Sequence, residues 1–224
     1  MKSKSLLVSE LFYSLQGESA YAGYPCVFIR LAGCNLRCTY CDARYAYNEP
    51  GQQQTLDEIV NFVAKYSGSL VELTGGEPLI QQNSTLLLEK LCDARRTVLV
   101  ETNGSIDLSN LPEQIIKIVD LKCPDSGMHE KMILDNYRLL KGQDEIKCVI
   151  SSRRDYEWAK EVLTREGLFR NHQQDTGKAQ ITFSPAQPSL DAALLAEWLL
   201  ADNLPARMQI QLHKILWPGI ERGV

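Results

Sequence analysis

A chain of 224 residues, 44% hydrophobic and 23% charged, with a net charge of −4, has the length and composition of one globular domain. The lack of any lysine or arginine run argues against a broad nucleic-acid or membrane surface. No apolar stretch reaches the roughly 18 residues of a membrane span, and the opening MKSKSLLVSELFYSLQGE lacks the apolar core and cleavage site of a signal peptide, so a cytoplasmic location is expected.

Short β-rich runs alternate with helical patterns along the chain. Strands are predicted at 27–32, 69–74, 97–102, 116–122, 145–150, 180–184 and 207–212. Most are β-branched and nearly continuous in apolar character, as strands covered on both faces should be. Between them, TLDEIVNFVAKY begins at Thr55 with Glu58 three residues on, a capping box. STLLLEKLCDARR begins at Ser84, RRDYEWAKEVLTREG ends on a glycine suited to a C-cap, and PSLDAALLAEWLLADN follows Pro188 and Ser189. NEPGQQQ (48–54) and RNHQQDTGK (170–178) have loop composition. This rhythm predicts an α/β fold with a parallel sheet and outer helices. A closed eight-fold barrel needs about 250 residues, so an incomplete TIM-like β/α barrel of about six parallel strands is expected, as a single domain over 1–224.

Of seven cysteines, Cys26, Cys92 and Cys148 lie in apolar surroundings and read as small buried hydrophobes, with Cys123 also isolated. Cys34, Cys38 and Cys41 differ. They form a C-x3-C-x2-C cluster in a polar loop directly after a strand, where parallel α/β folds build active sites. In a reducing compartment such a cluster favours a metal over disulfides. Structural zinc wants four closed ligands, and no fourth ligand stands at a finger-like spacing. An iron–sulfur cluster held by three thiolates would leave one iron open for chemistry. Zinc and plain structural thiols remain the alternatives. A second segment, LVELTGGEPLI, sets Gly75 and Gly76 directly after a strand, either to supply special dihedrals or to let a carboxylate approach exposed amides. VETNG carries Glu101 and Asn103 at the end of the next strand, and VDLKCP places Asp120 and Lys122 on one side by the period-2 rule.

CNLRCTYC resembles the signature of the radical S-adenosylmethionine (SAM) enzymes, with Tyr40 as the aromatic residue before the last cysteine. The resemblance implies a 4Fe–4S cluster on Cys34, Cys38 and Cys41 and reductive cleavage of SAM bound at the open iron. It implies SAM contacts from Tyr40, Cys41, Asp42, Gly76, Glu77, Glu101, Asn103, Asp120 and Lys122, with Ser184 and Pro185 candidates for the adenine.

The two chain ends narrow the resemblance. FYSLQGESAYAGYPCVFIRLAGC and QIQLHKILWPGIERGV are similar to the opening and closing segments of the 7-carboxy-7-deazaguanine synthases, the QueE family. The implied reaction contracts 6-carboxy-5,6,7,8-tetrahydropterin to 7-carboxy-7-deazaguanine, a queuosine precursor, with loss of ammonia and re-formation of SAM. Glu18 and backbone groups of Leu15, Gln16 and Gly17 would read the pterin's guanidine-like edge. Arg30 would pair with the substrate carboxylate, Thr74 and His213 would contact the substrate, and Val224 would fold back to the pocket. Many members carry a magnesium-binding threonine after the last cysteine and aspartate; here Ala43 stands there. A methyl group cannot ligate a hard cation, which leaves magnesium held through substrate oxygens and water, held more weakly, or not held. Flavodoxin or ferredoxin as electron donor and a homodimer are implied as well. The rivals are an activating enzyme for a glycyl-radical protein, which would need neither LQGE nor the His213 segment, and a zinc-stabilised binding module.

Overall fold

The structure, a computed structural model, describes residues 4–170 and 177–224. The loop expected at 170–178 falls largely outside these. In chain order the strands are β1 (Ser5–Leu15), β2 (Pro25–Leu31), β3 (Gln52–Thr55), β4 (Leu70–Gly75), β5 (Val98–Thr102), β6 (Ile116–Asp120), β7 (Glu145–Ile150), β8 (Gln180–Pro185) and β9 (Arg207–Met208). The helices are α1 (Tyr45–Asn48), α2 (Leu56–Ala64), α3 (Ser84–Asp93), α4 (Leu134–Arg138), α5 (Arg153–Arg165), α6 (Ala192–Ala201) and α7 (Leu212–Leu216). All nine strands join one sheet in the order β3-β1-β2-β4-β5-β6-β7-β8-β9. From β2 to β9 every neighbouring pair is parallel, whereas β1 runs antiparallel to both β2 and β3. β3 and β9 are free edges, so the barrel is partial and open.

Local signals place several boundaries. Thr55 caps α2 and closes the capping box with Glu58. Gly167, at φ +64°, ends α5, and the Leu168 amide reaches back to the Leu163 carbonyl at 2.9 Å, as in a Schellman ending. α6 starts later than Pro188 and Ser189 predict. Its cap is Asp191, whose side chain accepts from the Ala193 amide at 2.7 Å. The strand predicted at 207–212 pairs only through Met208, because the chain turns into α7 at Leu212. β1 and β3 are additions to the prediction, and β3 takes residues 52–54 out of the loop expected there.

Both strand faces are buried, as predicted, but they differ in kind. The outer face is apolar and packs against α2, α3, α5 and α6. There Val27, Ile29, Leu31, Leu73 and Val100 pack with Ile59 of α2 and Leu87 of α3. Farther along the sheet, Ile146, Cys148 and Phe183 pack with Tyr156 and Leu163 of α5 and Leu195 of α6. The inner face alternates with these residues at period 2. It carries Glu72 and Thr74 on β4, Glu101 on β5, Asp120 on β6, Glu145 and Lys147 on β7, and Thr182 and Ser184 on β8. Nearly all are buried. Such charges persist in an interior only when paired, so the inner face is where chemistry is to be sought. Cys26, Cys123 and Cys148 are fully buried, while Cys92 is half-buried at the core's edge. Among the described residues no helix is long and apolar enough to cross a membrane.

Candidate active site

The cysteine loop leaves the end of β2, and its three thiols are free and half-buried. Burial pushes the Cys38 thiol up, and the nearby Asp120, Cys41 and Cys34 add to the rise against the pull of the Lys122 ammonium. Burial likewise raises Cys41, with Asp42 and Cys34 contributing. The thiols therefore lie within electrostatic reach of one another. Three soft donors on one loop fit an iron–sulfur cluster, whose irons occupy separate corners and replace the thiol protons on binding. Among the described residues no three histidine, cysteine, aspartate or glutamate side chains group around a single ion.

The GGEP turn is built against this loop. Gly75 takes φ +151°, and a Cβ on it would meet the Leu31 carbonyl oxygen at 2.3 Å. A Cβ on Gly76 would lie 2.3 Å from the Gly33 carbonyl oxygen and 2.6 Å from Cys34 Cβ. The glycines thus provide both the dihedral and the close approach that their type predicts, and the approaching group is the cysteine loop's own backbone. Glu77, fully buried, accepts from the amides of Leu79 (3.0 Å) and Asn103 (2.7 Å) and from the Thr102 hydroxyl (2.9 and 3.0 Å). Burial pushes its pKa up to about 7 despite those three donors. Its backbone amide donates to the Gly33 carbonyl at 2.9 Å. Asn103 in turn donates to Asn35 Oδ1 at 3.0 Å and lies 3.9 Å from Cys34 Sγ. Glu77 and Asn103, expected as SAM contacts, thus also tie β4 and β5 to the cysteine loop. Tyr40 reaches across the sheet, its hydroxyl donating to the Val149 carbonyl at 3.2 Å.

Lys147 stands at the centre of the inner face. Its ammonium lies 2.9 Å from Glu18 Oε2, bonds Glu101 Oε1, and lies 3.6 Å from Asp120 Oδ1. Asp120 also pairs with Lys122 at 2.6 Å, as their shared side predicts. Burial works against the Asp120 carboxylate, but the two lysines hold it below its usual range. Thr74 donates to Glu101 Oε2 at 3.1 Å. Predicted substrate and cofactor residues are thereby gathered around one side chain that the sequence did not single out.

The chain ends close over this face. Gln211 Nε2 donates to Glu18 Oε1 at 2.7 Å and to Asp42 Oδ2 at 3.2 Å, and Lys214 lies 3.6 Å from Asp42. The Gly17 carbonyl accepts from the Leu212 amide at 2.9 Å. A Cβ on Gly17 would come within 2.2 Å of His213 Nδ1, so Gly17 and His213 share one space. Leu15 is the last β1 residue and pairs with Pro25. The Gln16 amide and carbonyl are taken by Tyr24 and Gly23, at 2.8 Å each, and its side chain bonds the buried Glu72. Gln16 shapes the turn that presents Glu18.

Arg30 does not snorkel to solvent; its side chain is 18% exposed and pairs through Nε with Glu10 Oε1 at 2.9 Å. The Tyr45 hydroxyl donates to the same oxygen at 2.6 Å, and the Gly223 amide donates to Glu10 Oε2 at 3.2 Å. Arg222 bonds Glu49 and covers the Tyr45 ring at 4.2 Å. The segment before Val224 thus returns to the Arg30 side of the face. At the position expected for a magnesium ligand, Ala43 offers a methyl group, and Asp42 beside it is engaged by Gln211 and Lys214. The residues present there do not fit a dedicated magnesium site.

An open parallel barrel with a three-cysteine loop at a strand end, braced by a GGEP turn, defines a radical SAM enzyme, and the radical SAM superfamily model matches residues 28–127. The chain is 44% identical to a 7-carboxy-7-deazaguanine synthase from Chlorobaculum tepidum, across 98% of this chain and 97% of that one. It is 40% identical to one from Koribacter versatilis, across 97% and 99%. The chain belongs to the 7-carboxy-7-deazaguanine synthase family. The crystal structure of QueE from Escherichia coli shares the fold, with a TM-score of 0.73 at 22% identity over 93% of this chain and 95% of that one. A 4Fe–4S cluster and SAM follow from the family, and the glycyl-radical activating alternative is not favoured.

Proposed function

We infer that this chain contracts the ring of 6-carboxy-5,6,7,8-tetrahydropterin to 7-carboxy-7-deazaguanine with loss of ammonia, the synthase activity for which its relatives are named. The cluster and SAM, when bound, supply the one-electron, hydrogen-abstracting chemistry. The chain's own residues bind and orient. Cys34, Cys38 and Cys41 would hold the cluster, and Tyr40, Asp42, Gly76, Glu101, Asp120 and Lys122 would line the SAM side, with Glu77 and Asn103 fixing the turns. Glu18 would read the pterin edge, Thr74 and His213 would border it, and Arg30 would exchange part of its pairing with Glu10 for the substrate carboxylate. Residues 1–224 would act as one unit, the tail before Val224 closing the site. An external electron donor such as flavodoxin or ferredoxin, a homodimer and a cytoplasmic setting complete the proposal.

The observation that carries it is the fixed Glu18 carboxylate, each oxygen accepting one hydrogen bond from the chain and keeping lone pairs for two parallel N–H donors. Anaerobic incubation with reductant, SAM and the pterin, followed by mass spectrometry, tests the activity directly. Formation of 7-carboxy-7-deazaguanine is expected; unchanged pterin sinks the assignment.

Glu18→Gln and His213→Ala should each weaken pterin binding by about tenfold or more, the cost of one lost or mispaired hydrogen bond to a charged group, while SAM cleavage is retained. Gly17→Ala should follow His213→Ala, because its new methyl group takes the imidazole's place. Isothermal titration with the pterin checks all three. Unchanged affinity in Glu18→Gln and His213→Ala removes those roles.

A further inference from the structure

We propose that Lys147 is the positioning residue for substrate recognition, holding the Glu18 carboxylate in register with the carboxylates of Glu101 and Asp120 on the cofactor side. The proposal rests on the substrate-reading role given to Glu18 above.

The geometry is specific. Lys147 lies on β7, buried, with its side chain on the inner face. An ammonium carries three N–H donors in a tetrahedral head, and three carboxylates surround this one: Glu18 at 2.9 Å, Glu101 in direct hydrogen-bond contact, and Asp120 at 3.6 Å. These come from three separate places, the loop after β1, the end of β5 and the end of β6. A buried ammonium is stable only when its N–H donors find partners, and partners within one element would serve that need as well. Here one lysine ties the loop that presents Glu18, 129 residues away in sequence, to two strand ends. The other Glu18 oxygen is held by Gln211 at 2.7 Å. With one donor on each oxygen, the carboxylate plane is fixed. A reader of two parallel N–H groups requires a fixed plane, since a rotated carboxylate offers only one oxygen.

Lys147 also sets the charge of the site. Glu72, Glu101, Asp120 and Glu145 share the inner face with it, and Glu18 and Asp42 face it from the loops. The other cations nearby are committed, Arg30 to Glu10, Lys122 to Asp120, Lys214 to Asp42 and Arg207 to Glu145. Without Lys147, Glu18 would face Glu101 and Asp120 with no cation between them and would swing away or take up a proton. Either change ends its use as a charged, oriented acceptor.

The test is a double-mutant cycle on the cluster-reconstituted enzyme, kept anaerobic, with pterin affinity measured by isothermal titration. Lys147→Met should weaken pterin binding by about tenfold or more. In the Glu18→Gln background the same substitution should cost less than about threefold further, because its effect passes through Glu18. A merely structural role would produce the same loss in both backgrounds, and that additive result overturns the proposal, as does wild-type affinity in Lys147→Met. If Lys147→Met does not fold, Lys147→Met/Glu101→Gln removes one charge of each sign. It should fold and show the same loss and the same dependence on Glu18. Failure of this second variant to fold also overturns the proposal, since Lys147 would then be required by the sheet itself. Unchanged pterin affinity in Glu18→Gln alone is a different result. It removes the assignment of Glu18 and the proposal with it, whatever Lys147→Met does.

Discussion

Cys38→Ala should produce a folded protein that holds no stable cluster and gives no detectable turnover. The two halves of that expectation come from different observations. Two thiolates cannot hold a four-iron cluster in place of three, because each thiolate satisfies one iron and the fourth is kept open. The Cys38 side chain, by contrast, contributes little to folding. It is half-buried in a loop, and the loop's position is set by other groups: the Thr39 amide on the Ser126 carbonyl at 3.1 Å, the Tyr40 hydroxyl on Val149, and the Asn35–Asn103 pair. Loss of a half-buried sulfur from such a loop should cost no more than about 1 kcal/mol. Iron analysis and visible absorbance after anaerobic reconstitution, set beside thermal melting of the unreconstituted chain, separate the two effects. Full iron content or normal turnover in Cys38→Ala would refute the ligand assignment. Cys92→Ser is the matched control, a half-buried cysteine at the edge of the core that should keep its iron.

What the sequence revealed and what it hid divide along one physical line. Features determined by residues close in the chain were legible. Thr55 and Glu58 cap α2 because both halves of the box lie within one turn, and Gly167 ends α5 because only a few residue types tolerate its φ. The cysteine loop and the GGEP turn are likewise local. Features determined by distant partners were not. Glu145 and Lys147 sit two apart in EIKCVI, a period-2 alternation of charge and apolar residue that marks an inner face. The apolar residues between them made the run read as continuous. Lys147's role depends on Glu18, Glu101 and Asp120, which no local pattern connects to it. Arg30 was legible as a functional cation, but its pairing with Glu10 was not. That pairing follows from an irregularity in β1 between Val8 and Glu10, which brings Glu10 opposite Arg30. β1 itself went unseen because Ser9 and Glu10 interrupt its apolar alternation.

Gly76→Ala should damage the cluster site from outside it. The added methyl group would come within 2.3 Å of the Gly33 carbonyl oxygen and 2.6 Å of Cys34 Cβ. Neither is the far end of a flexible side chain, so the backbone of one loop must move. The GGEP turn has little freedom to yield, because the Glu77 carboxylate is anchored by three donors and its amide is bound to the Gly33 carbonyl. The cysteine loop is the part that shifts, carrying Cys34 with it. Overpacking of this kind costs about 1–3 kcal/mol, which for a chain of this size lowers Tm by roughly 2–12 °C. The displacement of Cys34 should also leave the reconstituted protein short of iron and weaken SAM binding. Gly76→Ala and Cys38→Ala are thus expected to differ in kind: the first loses stability and cluster together, the second loses the cluster with the fold nearly untouched. Melting and iron analysis on both variants decide the matter. A Gly76→Ala protein with wild-type Tm and full iron would show that the two loops are not packed as tightly as the structure places them, and that the glycine serves SAM alone.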